Sequence, residues 1–126
     1  MSVPGFSANS VYPVAMPIES RQLESGVAVV AISGRLSLGA EVERLDAAVS
    51  QLVKQEQKKV ILDLTGLEYC DSAGVGMLVS CLTKVKKAGG EMRTAGANQR
   101  IQRILKMTGV DSLMSMFGSL SEAAAW

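Results

Sequence analysis

The chain has 126 residues, of which 48% are apolar and 20% charged, and these proportions are typical of one globular domain. A core of this size needs neither a metal nor a disulfide to be stable. Thirteen basic and twelve acidic residues give a net charge of +1, which argues against a domain held to nucleic acid or to an anionic membrane. Neither an export signal nor an apolar stretch of about 18 residues is evident, so we expect a cytoplasmic protein.

The sequence contains no histidine. It therefore cannot build a Ser-His-Asp or Cys-His nucleophile, or a zinc site with imidazole ligands. Cys70 and Cys81 lack the Cys-x-x-Cys spacing of a redox motif and stand among apolar residues, so we expect buried thiols. Gly74-Val75-Gly76 follows a strand, but the third glycine of a dinucleotide-binding turn would fall on Val79. We predict a protein that is not an enzyme and that holds no cofactor and no metal.

All three prolines fall within the first 17 residues. This shift in composition divides the chain into an extended N-terminal arm, 1–15, and a single domain, 16–126. Two strand-like segments, 16–23 and 27–32, flank Gly26, which can adopt the positive φ of a tight hairpin. The domain is therefore expected to open with an antiparallel pair of strands.

Apolar residues at spacings of three and four predict three helices. The first is expected to be capped by Ser37, the second begins at Asp71-Ser72, and the third is capped by Asn98. A short terminal helix follows Ser119, which has the spacing of a capping box.

Apart from Asp63, the segment 60–64 is apolar on both faces, which is typical of a strand at the centre of a sheet. The polar segment 91–95 is predicted near an edge, and 113–117 is either a last short strand or an irregular crossing. Strands that alternate with helices predict an α/β fold: a mixed, mostly parallel sheet of four to five strands with crossover helices.

Ser72 is the candidate functional residue, because it lies on the first turn of the helix that follows the central strand. Capping of the free N–H groups explains Asp71 and Ser72 without any further function. A phosphate acceptor is the functional alternative, since a helix N-terminus stabilises an added dianion. Asp63, Glu68 and Asp71 could also form a metal or acid/base site, but without a further ligand group or a partner base, capping and loop hydrogen bonds are the better explanation.

The segments Asp63-Leu64 and Asp71-Ser72-Ala73-Gly74-Val75-Gly76 together resemble the signature of STAS domains of the anti-sigma-factor antagonist family. That signature is an Asp-Leu followed by Asp-Ser-Ser-Gly-Leu-Gly or Asp-Ser-Thr-Gly-Leu-Gly. Supporting matches stand at Gly34-Arg35-Leu36, Gly89-Gly90 and Glu122-Ala123. The resemblance covers nearly the whole chain and implies a STAS-like fold.

The resemblance also implies a function. The regulated serine of the family matches Ser72. In the family, the unphosphorylated antagonist binds an anti-sigma factor that is also a serine kinase, phosphorylation breaks the complex, and a serine phosphatase restores it. The implied partner-binding residues are that serine and its neighbours at the start of the second helix: Asp71, Ser72, Ala73, Gly74, Val75, Gly76 and Met77. Gly34 to Gly39 form a secondary contact.

Ala73 replaces the second hydroxyl residue of the family signature. An alternative function therefore stays open, in which the chain is an unphosphorylated STAS adaptor module of a transporter or of a signalling assembly.

Overall fold

The structure is a computed structural model and describes residues 18–23 and 25–126. The predicted arm, 1–15, lies outside the described residues, so its separation from the domain stays a prediction. The described strands are β1 (Ile18–Gln22), β2 (Ala28–Ile32), β3 (Gly34–Leu36), β4 (Lys59–Asp63), β5 (Leu67–Cys70), β6 (Glu91–Ala95) and β7 (Ser115–Phe117). The described helices are α1 (Ala40–Lys54), α2 (Ser72–Lys87), α3 (Gln99–Met107) and α4 (Leu120–Ala123), with a 3-10 turn at Val110–Ser112.

Within the described residues the main sheet has five strands in the order β1-β2-β4-β6-β7. β1 is antiparallel to β2, and every other neighbouring pair is parallel. The predicted α/β class, with a mostly parallel sheet and crossover helices, is therefore confirmed. Gly26 has a φ of +84° in the β1–β2 turn, as predicted for a tight hairpin.

β4 lies in the middle of the sheet, as its sequence predicts. Val60, Ile61 and Leu62 have no exposed surface, because helices cover one face of β4 and a smaller apolar cluster covers the other. The larger cluster lies between the sheet and helices α1, α2 and α3, and it includes both cysteines. Among the described helices, none has the length and hydropathy that crossing a membrane requires.

The prediction that 91–95 lies near an edge is confirmed, because β6 is the second strand from the edge and pairs with β4 on one side and with the edge strand β7 on the other. Its charged residues, Glu91 and Arg93, face the side of the sheet opposite to the main helices, together with Ala95. There the guanidinium of Arg93 lies 3.9 Å from the ring centroid of Trp126, and its Nη1 donates a hydrogen bond of 2.9 Å to the carbonyl oxygen of Ala123. The polar appearance of β6 therefore reflects this contact with the C-terminal segment and not an exposed edge.

The prediction that Ser37 caps the first helix is wrong. α1 begins at Ala40, and its N-cap is Gly39, with a φ of +130° and no side-chain hydrogen bond to the helix. The chain makes one more turn before the helix starts, and Gly39 supplies the positive φ that this turn needs. Asn98 and Ser119 do cap α3 and α4, as predicted.

β3 and β5 form a separate two-stranded parallel sheet, which the sequence analysis did not predict. β5 leads directly into the first residue of α2, and β3 leads into the turn before α1. The small sheet therefore brings the start of α2 beside the β3–α1 turn.

Candidate functional site

The start of α2 is held by the side chain of Asp71. One carboxylate oxygen accepts a hydrogen bond of 2.8 Å from the Gly74 N–H, which is the capping contact predicted from the sequence. The other oxygen accepts a hydrogen bond of 3.2 Å from the Leu38 N–H in the β3–α1 turn. The Asp71 N–H in turn donates to the carbonyl oxygen of Leu36 at 3.2 Å. Asp71 therefore joins α2 to the β3–α1 turn as well as capping the helix.

These hydrogen bonds affect the ionisation of Asp71. Donation from the Gly74 N–H is the largest cause that lowers its pKa below the ordinary value of 3.8, and donation from the Leu38 N–H lowers it further. Asp71 is therefore ionised throughout the physiological pH range, and the site carries a fixed negative charge next to Ser72.

Gly74 permits the close approach of α2 to β3. A Cβ at this position would lie 2.3 Å from the Leu36 carbonyl oxygen and 2.7 Å from the Cys70 sulfur. No side chain fits that space, so the glycine is required by packing between the two elements. Gly76 differs, because a Cβ there would meet no atom within 4 Å.

The predicted partner-binding residues fall into two groups by exposure. Ser72 and Gly76 are exposed, and Ala73 and Met77 are half-buried. Gly74 and Val75 are buried, so these two support the surface from below. The exposed serine lies at the first residue of a 16-residue helix, where the positive end of the helix dipole is closest.

Three exposed residues lie beside this surface: Arg35 and Leu38 belong to the predicted secondary contact, 34–39, and Tyr69 was not predicted. The side chain of Leu38 is 81% exposed, although its backbone N–H is bound to Asp71. The guanidinium of Arg35 lies 4.4 Å from the ring centroid of Tyr69, across the β3–β5 pair. The sequence signal for Leu38 is an isolated apolar residue in a turn, outside any periodic apolar stripe. Arg35 and Tyr69 carry no such signal, because their contact depends on the unpredicted strand β5.

The other candidate carboxylates have local partners or stand free of the site. Asp63 accepts hydrogen bonds from the Thr65 N–H at 3.1 Å and from the Thr65 hydroxyl at 2.6 Å, so it organises the turn after β4. Glu68 is exposed on β5. In the part of the chain that the structure describes, no three His, Cys, Asp or Glu side chains are grouped to hold a metal ion.

Burial and, as the smaller cause, the negative charge of Asp71 raise the pKa of the Cys70 thiol to about 11. Burial likewise raises the pKa of Cys81 to about 12. Both cysteines are free and buried, as predicted, so both are protonated thiols at neutral pH.

The fold and this geometry define an α/β domain in which the first turn of α2 lies next to the β3–α1 turn. Ser72 is exposed in that first turn, and Asp71 caps the helix. The family model described as STAS domain matches residues 20–123 of this chain. The chain belongs to the STAS domain family, and the resemblance stated from the sequence is confirmed.

Relatives by sequence include anti-sigma factor antagonists and a Bacillus subtilis protein with the provisional name of a sulfate transporter. A protein of Thermotoga neapolitana with the provisional name of an anti-sigma factor antagonist is 29% identical over 73 residues, which are 58% of this chain. The match spans 65% of the length of that relative. The anti-sigma F factor antagonist of Paenibacillus polymyxa is 26% identical over 93 residues, covering 73% of this chain and 79% of that one.

Solved structures show the same fold in two functional settings. The Bacillus cell fate determinant SpoIIAA in its phosphorylated form superposes with a TM-score of 0.67 at 20% identity, over 84% of this chain and 95% of that one. A sulfate transporter family protein from Wolinella succinogenes superposes with a TM-score of 0.73 at 20% identity, over 83% of this chain and 87% of that one. At this level of identity the likeness establishes the fold alone.

Proposed function

We propose that this chain is a protein-binding switch that sequesters an anti-sigma serine kinase and is released when that kinase phosphorylates Ser72. The observation that carries the proposal is the position of Ser72, which is exposed at the first residue of α2. Its neighbour Asp71 is ionised and accepts two backbone hydrogen bonds. The names of the sequence relatives support the same role. In this role the chain acts in the cytoplasm, catalyses no reaction, needs no cofactor and binds no nucleic acid.

The binding surface proposed for the kinase is formed by the exposed start of α2 and the β3–α1 turn. Ser72 and Gly76 are exposed, the space next to Gly76 is open, and Leu38 offers an exposed apolar side chain. Asp71 fixes the relative position of these two elements through its contacts with Gly74 and Leu38. A surface that is already ordered loses little conformational entropy on binding, which favours affinity.

Phosphorylation would act through charge. A phosphate on Ser72 adds about −1.5 to −2 charges, and Asp71 stands next to it as a carboxylate. In the free protein the N-terminus of α2 and solvent offset this charge. In a complex the phosphate would be pressed into an interface, where repulsion and desolvation are not offset. The complex is therefore destabilised more than the fold, and a serine phosphatase would restore binding.

The experiment measures binding of each anti-sigma kinase of the source organism by calorimetric titration. We expect Ser72→Asp to weaken binding by at least about tenfold, or roughly 1.4 kcal/mol, and Ser72→Ala to bind even in the presence of ATP. Mass spectrometry after incubation with kinase and ATP should place the phosphate on Ser72.

Ser121→Asp is the matched control, because Ser121 is exposed on the first turn of α4, which packs on the opposite face of the sheet. It adds the same charge to a helix start outside the proposed surface, so binding should be unchanged. Equal affinities for wild type, Ser72→Asp and Ser72→Ala would refute the switch.

A second candidate function is that of a STAS adaptor that is never phosphorylated, as part of a transporter or of a signalling assembly. The likeness to the Wolinella sulfate transporter family protein supports it, and so does Ala73 in place of the second hydroxyl residue. Binding of a partner with no kinase activity, unaffected by Ser72→Asp, would favour the adaptor.

A further inference from the structure

A groove of about 740 Å³ lies between α3 and β7, and no residue of α2 lines it. One wall is a single face of α3, formed by side chains at helical spacing: Gln99, Gln102, Arg103 and Lys106. The other wall includes Met116 and Phe117 of β7, which are half-buried. The groove therefore combines two cations with an apolar wall.

The groove is lined by two residues of β7, the edge strand of the sheet. Within the described residues β7 pairs with β6 alone. Met116 packs against the helix-side cluster, whereas Phe117 packs against the cluster on the opposite face. A groove that contacts both residues must lie at the edge or the end of β7, where backbone groups that do not face β6 can pair with an extended chain.

The charge on α3 is not balanced locally. The helix carries Arg100, Arg103 and Lys106 and no acidic residue, and like charges three residues apart repel each other. The ion pairs found among the described residues involve Lys84 and Arg93, so Arg103 and Lys106 have no carboxylate partner there. Asp111 is the one carboxylate that lines the groove, which leaves its lining with a net positive charge.

We propose that this groove binds an extended acidic segment of a partner protein, at a site separate from the surface around Ser72. Carboxylates of the segment pair with Arg103 and Lys106, apolar side chains cover Met116 and Phe117, and its backbone pairs with the outer edge of β7. An extended peptide fits better than a helix, because the edge strand offers unpaired backbone groups at the wall of the groove. The site does not depend on the function proposed for Ser72.

The experiment uses mRNA display of random twelve-residue peptides and selects those that bind the full chain. We expect the enriched peptides to contain at least two acidic residues flanking apolar ones. A fluorescein-labelled copy of the most enriched peptide is then titrated by anisotropy against three proteins. The double variant Arg103→Glu/Lys106→Glu should bind at least about tenfold more weakly than the wild type.

The matched control is Arg100→Glu/Lys87→Glu, which changes the net charge by the same amount at exposed residues that do not line the groove. It should bind within about twofold of the wild type. In addition, the ¹³C-methyl signal of Met116 should shift when the peptide is added. Melting temperatures of both double variants establish that they fold.

Three outcomes would overturn the proposal. These are failure to enrich acidic peptides, equal loss of binding in both double variants, and a peptide that leaves the Met116 signal unmoved. Vesicles containing phosphatidylglycerol and a single-stranded oligonucleotide are titrated in parallel. Binding of either one that is stronger than peptide binding and is lost only in the groove variant would assign the site to a membrane or to nucleic acid instead.

Discussion

Gly74 lies so close to Leu36 that a Cβ on the glycine would come within 2.3 Å of the Leu36 carbonyl oxygen. The obstacle is backbone and not a flexible side chain, so the start of α2 cannot accommodate even a methyl group without moving. This contact sets the position of Ser72 relative to the β3–α1 turn.

We predict that Gly74→Ala lowers the free energy of unfolding by about 1 to 3 kcal/mol, as overpacking usually does. Gly76→Ala is the matched control, because its Cβ would enter open space and alanine favours the helix by roughly 0.5 to 1 kcal/mol. Urea denaturation of both variants provides the measurement. If Gly74→Ala were as stable as the wild type, the close contact between α2 and β3 would be wrong.

The two hydrogen bonds of Asp71 predict a pH dependence. An asparagine can accept one of the two N–H groups, but its amide NH₂ would then face the other donor. We expect Asp71→Asn to keep the cap to Gly74, to lose the contact with Leu38, and to be less stable than the wild type at neutral pH.

The sign of the pH effect follows from the lowered pKa. The stabilisation from ionised Asp71 is present above the ordinary value of 3.8 and is lost as the pH falls through the lower pKa of the folded state. The stability difference between wild type and Asp71→Asn should therefore shrink in acid. The exposed Asp111, changed to asparagine, is the control. A difference that stayed constant from neutral pH into strong acid would contradict the role of the Asp71 charge.

The sequence was sufficient to predict the sheet class, the central strand and the caps at Asp71 and Asn98, because each depends on residues close together in the chain. Apolar periodicity identifies a helix or a buried strand from a short window. A capping side chain and the N–H that it satisfies are also only a few residues apart.

The errors have the opposite character. The prediction of a cap at Ser37 is wrong because the turn that delays α1 is not evident from nearby residues. That turn depends on the positive φ of Gly39 and on the hydrogen bond from the Leu38 N–H to Asp71, which is a tertiary contact. β5 was missed because a four-residue strand has too few residues to show a pattern. Tyr69, the exposed residue beside Ser72 that the sequence analysis did not predict, belongs to this strand.

The side chain of Thr94 provides a test of the core. Thr94 is 1% exposed and lies opposite Leu62 in the sheet, and the described residues give its hydroxyl no hydrogen-bond partner. Thr94→Val replaces the hydroxyl by a methyl group of similar size. Since a buried unpaired hydroxyl costs about 1 to 3 kcal/mol, we expect a gain in stability of about 1 kcal/mol.

Thr94→Ser is the control for this prediction. It keeps the hydroxyl and removes the methyl group, so it should be less stable than the wild type. Urea denaturation compares the three proteins. A loss of stability in Thr94→Val would mean that the hydroxyl has a hydrogen-bond partner in solution.

The two thiols allow a test of local opening at the proposed binding surface. Their pKa values are raised from 9.0 to about 11 for Cys70 and about 12 for Cys81, so both are protonated at mildly alkaline pH. We expect slow reaction with an aromatic disulfide in the folded protein and rapid reaction of both thiols in urea. The stability that neutral thiols confer is complete below pH 9 and is lost as the pH rises through the raised values.

The two rates should differ from each other. Cys70 lies beneath the start of α2, next to the space left by Gly74, and local opening of the first helical turn exposes it. Cys81 lies in the middle of α2 with no exposed surface, so it should react only through global unfolding. The variants Cys70→Ser and Cys81→Ser assign each phase of the labelling reaction to one thiol.

Under the proposed function, a bound kinase should slow the labelling of Cys70 by closing the first turn of α2, beyond any effect on Cys81. Equal rates for the two thiols would show that the start of α2 does not open independently. If a bound kinase did not slow the labelling of Cys70 relative to that of Cys81, the kinase would not close the first turn of α2.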